Sequence, residues 1–145
     1  MARILGFDYG RARIGVAVTD PRQIIVSPAF VMPCGKTLEL TAAKIKEKAD
    51  PMGPFELLVV GLPLLLNGKE GEMAQEARKF SEALQSAFQI PVILWDERLT
   101  SSQADRMMKE DDRSRKERSK SIDTLSATLI LQNYLDSKFL QRPQI

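Results

Sequence analysis

Two short apolar runs, Ile4-Leu5-Gly6-Phe7 and Ile14-Gly15-Val16-Ala17-Val18, lie close together near the start of the chain, with Gly10 between them. Their length and composition predict two strands, residues 3–7 and 14–18, of a hairpin turning around Gly10. Residues 24–32 predict a third extended segment, in which Pro28 marks a bulge or an edge position. From Thr37 the apolar period lengthens, and Leu38, Ala42, Ile45 and Ala49 fall on one helical face. Asp50-Pro51-Met52-Gly53-Pro54 ends that helix in a loop.

Leu57-Leu58-Val59-Val60 is a continuous apolar run, the mark of a strand buried on both faces. Gly61-Leu62-Pro63 is expected to break it, and Asn67-Gly68 to form a turn. Met73, Ala77, Phe80, Leu84 and Phe88 make a helical stripe. Residues 92–95 predict a last strand. Thr100-Ser101-Ser102-Gln103 has the form of a capping box opening a helix. Residues 106–120 are dense in charge and read as a mobile arm, and a final helix is expected over residues 121–139.

The order β-β-β-α-β-α-β-α-α predicts an α/β fold built on a five-stranded mixed sheet. The first three strands form an antiparallel meander, the later strands lie parallel, and helices cover both faces. With 145 residues and no internal repeat or linker, the expectation is a single domain spanning 1–145.

Composition narrows the chemistry. The chain has no histidine and one cysteine, Cys34. That excludes Ser-His and Cys-His nucleophile systems, histidine-based zinc sites and an internal disulfide. Hydrolytic chemistry must then rest on carboxylates, lysines or hydroxyls, and carboxylates suit hard cations such as magnesium or manganese. No apolar run has the length of a membrane span, and the first residues read as a strand rather than a signal peptide. The expected location is cytoplasmic. The net charge of +2 is weak evidence for a nucleic-acid partner; its distribution says more.

Three acids are candidates for the chemistry. Asp8 ends the first strand, where a lone buried carboxylate is costly unless a cation pairs with it; it could equally be a turn residue. Asp96-Glu97-Arg98 follows the last strand, at the end where ligands gather in open α/β sheets. Those charges could also be solvated ones near a helix N-terminus. Asp123 shares a helical face with Ala127, Ile130 and Tyr134, which aims it at the sheet; a first-turn acid needs no ligand. Converging, two or three such carboxylates could hold a pair of cations that activate water and stabilise the leaving oxygen of a phosphodiester.

Other residues could meet the substrate. The connection from Gly61 to Lys69 leads to a helix N-terminus, an anion site or a plain connection. Arg106, Lys109, Arg113, Arg115, Lys116, Arg118 and Lys120 form a basic segment broken by Glu110, Asp111, Asp112 and Glu117. Mixed signs describe a solvated surface, although the basic excess would also suit a phosphate backbone. Tyr9 and Trp95 could stack on bases but read more simply as packing residues.

Four blocks occur in order: Leu5-Gly6-Phe7-Asp8-Tyr9-Gly10 with Arg13-Ile14-Gly15-Val16-Ala17, then Val60-Gly61-Leu62-Pro63, then Asp96-Glu97-Arg98-Leu99-Thr100, then Ile122-Asp123 before Ala127. Through them nearly the whole chain resembles the YqgF family, also called RuvX, whose members are described as Holliday-junction resolvases or pre-16S rRNA nucleases. The resemblance implies an RNase H-like fold and a metal-dependent endonuclease, with the acidic triad on Asp8, Glu97 and Asp123. Glu97 competes with Asp96 for its place. Ala12 stands where the family usually has lysine, leaving Arg11 and Arg13 to supply charge. Ser101 replaces a common threonine, and Leu125-Ser126-Ala127 is less alanine-rich than usual.

The leading expectation is a Mg2+- or Mn2+-dependent nuclease that matures the 5′ end of 16S rRNA, with ribosomal particles as partners. Its substrate contacts are Arg11, Arg13, Lys69, Arg98, Arg113 and Lys116. Resolution of branched, four-way DNA is the close alternative, and would favour a homodimer where an rRNA nuclease could be a monomer. From other classes come a non-catalytic nucleic-acid- or ribosome-binding factor and an actin-like ATPase; the latter needs two such domains and so a longer chain.

Overall fold

The strands are β1 (Arg3–Asp8), β2 (Arg13–Thr19), β3 (Val26–Pro33), β4 (Phe55–Leu62) and β5 (Val92–Asp96). They form one sheet in the order β3-β2-β1-β4-β5. Our computed structural model describes residues 2–65, 67–97 and 115–140, without the side chains of 115–122 and 139–140. The pairs β1–β2 and β2–β3 are antiparallel, while β1–β4 and β4–β5 are parallel. The predicted meander and its parallel extension are both present. Because β1, β4 and β5 run the same way, their carboxyl ends, and the acids that follow them, emerge at one end of the sheet.

The two faces of the sheet carry different helices. Leu5, Phe7, Ile14, Val16, Leu58 and Val60 point to one face and pack with Ala42 and Ile45 of α1 (Leu38–Ala49) and Ala77, Phe80 and Leu84 of α2 (Glu72–Phe88). The Thr37 side chain caps α1 by accepting from the Leu40 N–H at 3.1 Å. Ile4, Ala17 and Val59 point to the other face, against Ala127, Ile130 and Leu131 of α3 (Arg115–Leu140). Each fully buried Leu, Ile, Val or Phe among them contributes about 1.5–3 kcal/mol.

Toward α3, β1 and β2 present glycine at Gly6 and Gly15. A Cβ on Gly6 would stand 2.8 Å from the Leu131 Cβ, and one on Gly15 would stand 2.1 Å from the backbone oxygen of Asp123. Bare strand backbone lets the helix settle directly onto β1 and β2. This contact, more than any loop, fixes where Asp123 sits.

Three expectations need correction. The third strand starts at Val26, not at Ile24. The Asp20 carboxylate accepts from the Ile24 and Ile25 N–H groups at 2.7 and 2.9 Å, holding them in the connection, where both are exposed. Gly61 and Leu62 do not break β4; they stay in the ladder, paired with Trp95 and Asp96. The last helix begins at Arg115 rather than near residue 121, so the second half of the charged segment is helical. Pro28 serves both suggested roles, on an edge strand and beside an irregularity in the β2–β3 register. The helix expected from Thr100 lies outside the described residues.

Candidate active site

Asp8 is the last residue of β1 and continues the face of Ile4 and Gly6, so it points toward α3. Its register partner is Gly15, the residue on which the Asp123 backbone rests. Burial, followed by the negative charges of Glu97 and Asp123, pushes the Asp8 carboxyl up to about 8. Both acids therefore stand close enough for their charge to act on Asp8.

Strand alternation puts Asp96 and Glu97 on different sides of the sheet. Val92 and Leu94 pack in the α1/α2 core, whereas Ile93 and Trp95 pack on the α3 side. Asp96 follows the first pair and is exposed; Glu97 follows the second and is buried. The Glu97 side chain lies over Gly61, where an added Cβ would meet its Oε2 at 2.2 Å and Ile130 Cδ1 at 2.5 Å. Burial, and next the charge of Asp96, lifts Glu97 to about 7. Its Oε2 is buried without a hydrogen-bond partner, an expensive state for a carboxylate oxygen.

Asp123 reaches the same region from α3. It is half-buried, and its Oδ2 accepts from the Nε of Arg13 at the start of β2. Burial raises its pKa, and the hydrogen bond and charge of Arg13 oppose the rise. Among the described residues, no three acids stand close enough to hold an ion as they are.

The basic residues divide. Arg13 alternates with Gly15 and Ala17 and so faces α3 and the acids. Arg11 turns to the opposite helix, where it donates to Glu76 at 2.6 Å and to Glu72 at 3.4 Å. Tyr9 joins that group through a 3.1 Å hydrogen bond to Glu76 and packs on Phe80. Trp95 packs edge-on to Tyr134. Both aromatics are packing residues. Lys69 lies in the connection leaving β4, whose turn is closed by the Asn67 side chain accepting from the Lys69 N–H at 2.9 Å. Arg98 and Arg113 lie outside the described residues, as does the side chain of Lys116. The importance of Gly61 was hidden, although the apolar run continuing past it to Leu62 is the available signal. Nothing in the sequence points to Glu76 as the partner of Tyr9 and Arg11.

Known proteins share this chain's sequence pattern and its fold. The family model for RuvX, described as a Holliday junction resolvase, matches residues 2–137. The chain belongs to the RuvX family. A relative from Protochlamydia amoebophila, named "Putative pre-16S rRNA nuclease", is 43% identical over 142 residues, covering 94% of this chain and 95% of the relative. Another of the same name from Endomicrobium trichonymphae is 46% identical over 137 residues, covering 94% and 96%. Among solved structures, the fowlpox virus Holliday junction resolvase superposes with a TM-score of 0.58 at 12% identity, covering 94% of this chain and 99% of the other. Thermus thermophilus RuvC with a Holliday junction substrate gives 0.55 at 13%, covering 96% of each. At such identities the likeness is one of fold, and the fold of this RuvX member is RNase H-like, as the resemblance implied.

Proposed function

We propose that this RuvX-family chain is a single-domain, cytoplasmic, metal-dependent nuclease that hydrolyses phosphodiester bonds in precursor 16S rRNA. The observation that carries the reading is the delivery of Asp8, Glu97 and Asp123 from a strand end, a following loop and a helix to one end of one sheet face. The names of the relatives favour rRNA as the substrate class, with ribosomal particles as the setting.

The donor set fits a hard divalent cation. All three groups are carboxylates, Glu97 Oε2 is buried and unpartnered, and Asp8 is held against two other acids. Positive charge at this point relieves all of these costs at once. Asp8, Glu97 and Asp123 would hold Mg2+ or Mn2+. When bound, such ions supply an activated water and charge for the leaving oxygen. The chain contributes the rest. Glu97 is kept in place by the space above Gly61, Asp123 by the seat of α3 on Gly15, and Arg13 offers a guanidinium to a phosphate oxygen. Among the described residues, no helix is long and apolar enough to cross a membrane.

The test compares wild type and Asp8→Asn on precursor 16S rRNA and on a four-way DNA junction, with and without Mn2+. Metal-dependent cleavage of the RNA alone, lost in the variant, is the expected result. Paired symmetric nicks in the junction would instead identify a resolvase acting as a homodimer, a reading favoured by the family model's description. Folded protein that cuts neither substrate would make the chain a binding factor.

A further inference from the structure

We propose that Arg13 is a positioning residue that competes with the metal for Asp123: it holds the carboxylate while the site is metal-free and is released toward the phosphate when metal binds. The inference rests on the carboxylate-centre reading above. Arg13 Nε donates to Asp123 Oδ2, and the two side chains are only 34% and 21% exposed. A charge-assisted bond so shielded from water is worth more than a surface ion pair. It also occupies part of the acid that the metal set needs.

Two observations make this pairing exchangeable rather than permanent. First, the described residues contain no ready-made group of three acids able to grip an ion, although Asp8, Glu97 and Asp123 share one end of the sheet. Second, the Asp123 backbone oxygen is seated where a Gly15 side chain would be. The helix is therefore fixed, and Asp123 can change partners by side-chain rotation without moving α3. Arg11 makes the contrast. Glu76 and Glu72 on α2 hold it, and neither acid belongs to the site. Of these two arginines, only Arg13 is bound to a residue that the metal would claim.

By linkage, if Arg13 and metal compete, removing either strengthens the hold of Asp123 on the other by the same factor. The experiment titrates Mn2+ calorimetrically into metal-free wild type, Arg13→Ala, Arg13→Gln, Arg13→Lys and Asp8→Asn. The two neutral variants should bind Mn2+ about fivefold tighter or more, with Arg13→Lys nearer to wild type. Their cleavage of RNA should show a raised KM, because the released guanidinium is missing. In 15N NMR of the wild type, the Arg13 Nε–H signal should shift when Mg2+ saturates the site. Mn2+ affinity that is unchanged or weaker in both neutral variants, or an Nε–H signal indifferent to Mg2+, would overturn the proposal and make the pair a fixed brace. Asp8→Asn separates the two readings. If it abolishes Mn2+ binding while the arginine variants bind no tighter, only the exchange is wrong. If it binds Mn2+ like wild type, the carboxylate centre itself fails, and this inference with it.

Discussion

Gly61→Ala places one methyl group where the Glu97 carboxylate now lies. The added Cβ would stand 2.2 Å from Oε2, against the 3.4 Å at which ordinary van der Waals contact begins, so the carboxylate must retreat by about 1.2 Å. The other close atom, Ile130 Cδ1 at 2.5 Å, is also a side-chain end. Neither obstacle is backbone, and Gly61 pairs normally with Trp95 in β4. Overpacking of this kind costs about 1–3 kcal/mol, and the higher strand propensity of alanine returns about 0.5–1 kcal/mol. The net loss should lower Tm by no more than roughly 8 °C. On the proposed function activity should suffer far more, because a misplacement of about 1 Å in a catalytic group can cost about 100-fold. The assay is single-turnover, metal-dependent cleavage of a precursor-rRNA fragment, run beside a thermal melt, with Glu97→Gln as the reference for complete loss of the carboxylate. A folded Gly61→Ala protein cleaving within about threefold of wild type would refute the reasoning. It would mean that the position of Glu97 over Gly61 has no part in the chemistry.

Gly15→Ala makes the opposite kind of perturbation. Its Cβ would meet backbone, 2.1 Å from the Asp123 oxygen, so α3 must lift. We expect a loss at the upper end of the overpacking range, about 3 kcal/mol, with activity lost as well; an unchanged Tm would contradict this. In metal-free protein, Asp8 and Glu97 are raised from ordinary values of 3.8 and 4.5 to about 8 and about 7. The folded state binds their protons more tightly than the unfolded chain, so their contribution to stability is complete below about pH 4 and is lost as pH rises through 7 and 8. Melts with chelator present should therefore show Tm falling over that window, and Asp8→Asn should flatten the fall; a flat wild-type profile would count against the buried acids. The apparent affinity for Mn2+ should rise over the same window as the acids ionise, a trend that calorimetry at several pH values can check. Leu131→Ala, at a fully buried position against Gly6, should cost about 2–5 kcal/mol in urea denaturation with an unchanged m-value.

Much of this protein was determined by local pattern. Alternating and continuous apolar runs located all five strands, and the period of 3.6 located α1 and α2, because burial imposes those periods wherever a chain packs. The meander and the parallel extension followed from the order of elements, since consecutive strands pair and crossovers need helices. The lack of histidine by itself restricts any hydrolytic site to acids, lysines and hydroxyls.

What the tertiary structure alone decided is which face each residue meets. In β5, Val92, Ile93, Leu94 and Trp95 are all apolar because both faces are covered, so the pattern could not tell which of Asp96 and Glu97 is turned toward α3. Only the seating of α3 on one face made that choice. The same uncertainty held for Arg11 and Arg13, two residues apart but drawn to opposite helices by acids 65 and 110 residues away. Gly61 looked like an interruption because a missing side chain has no local signature apart from weakened propensity. Its purpose is space, and space is defined by the neighbours that fill it, here Glu97 and Ile130.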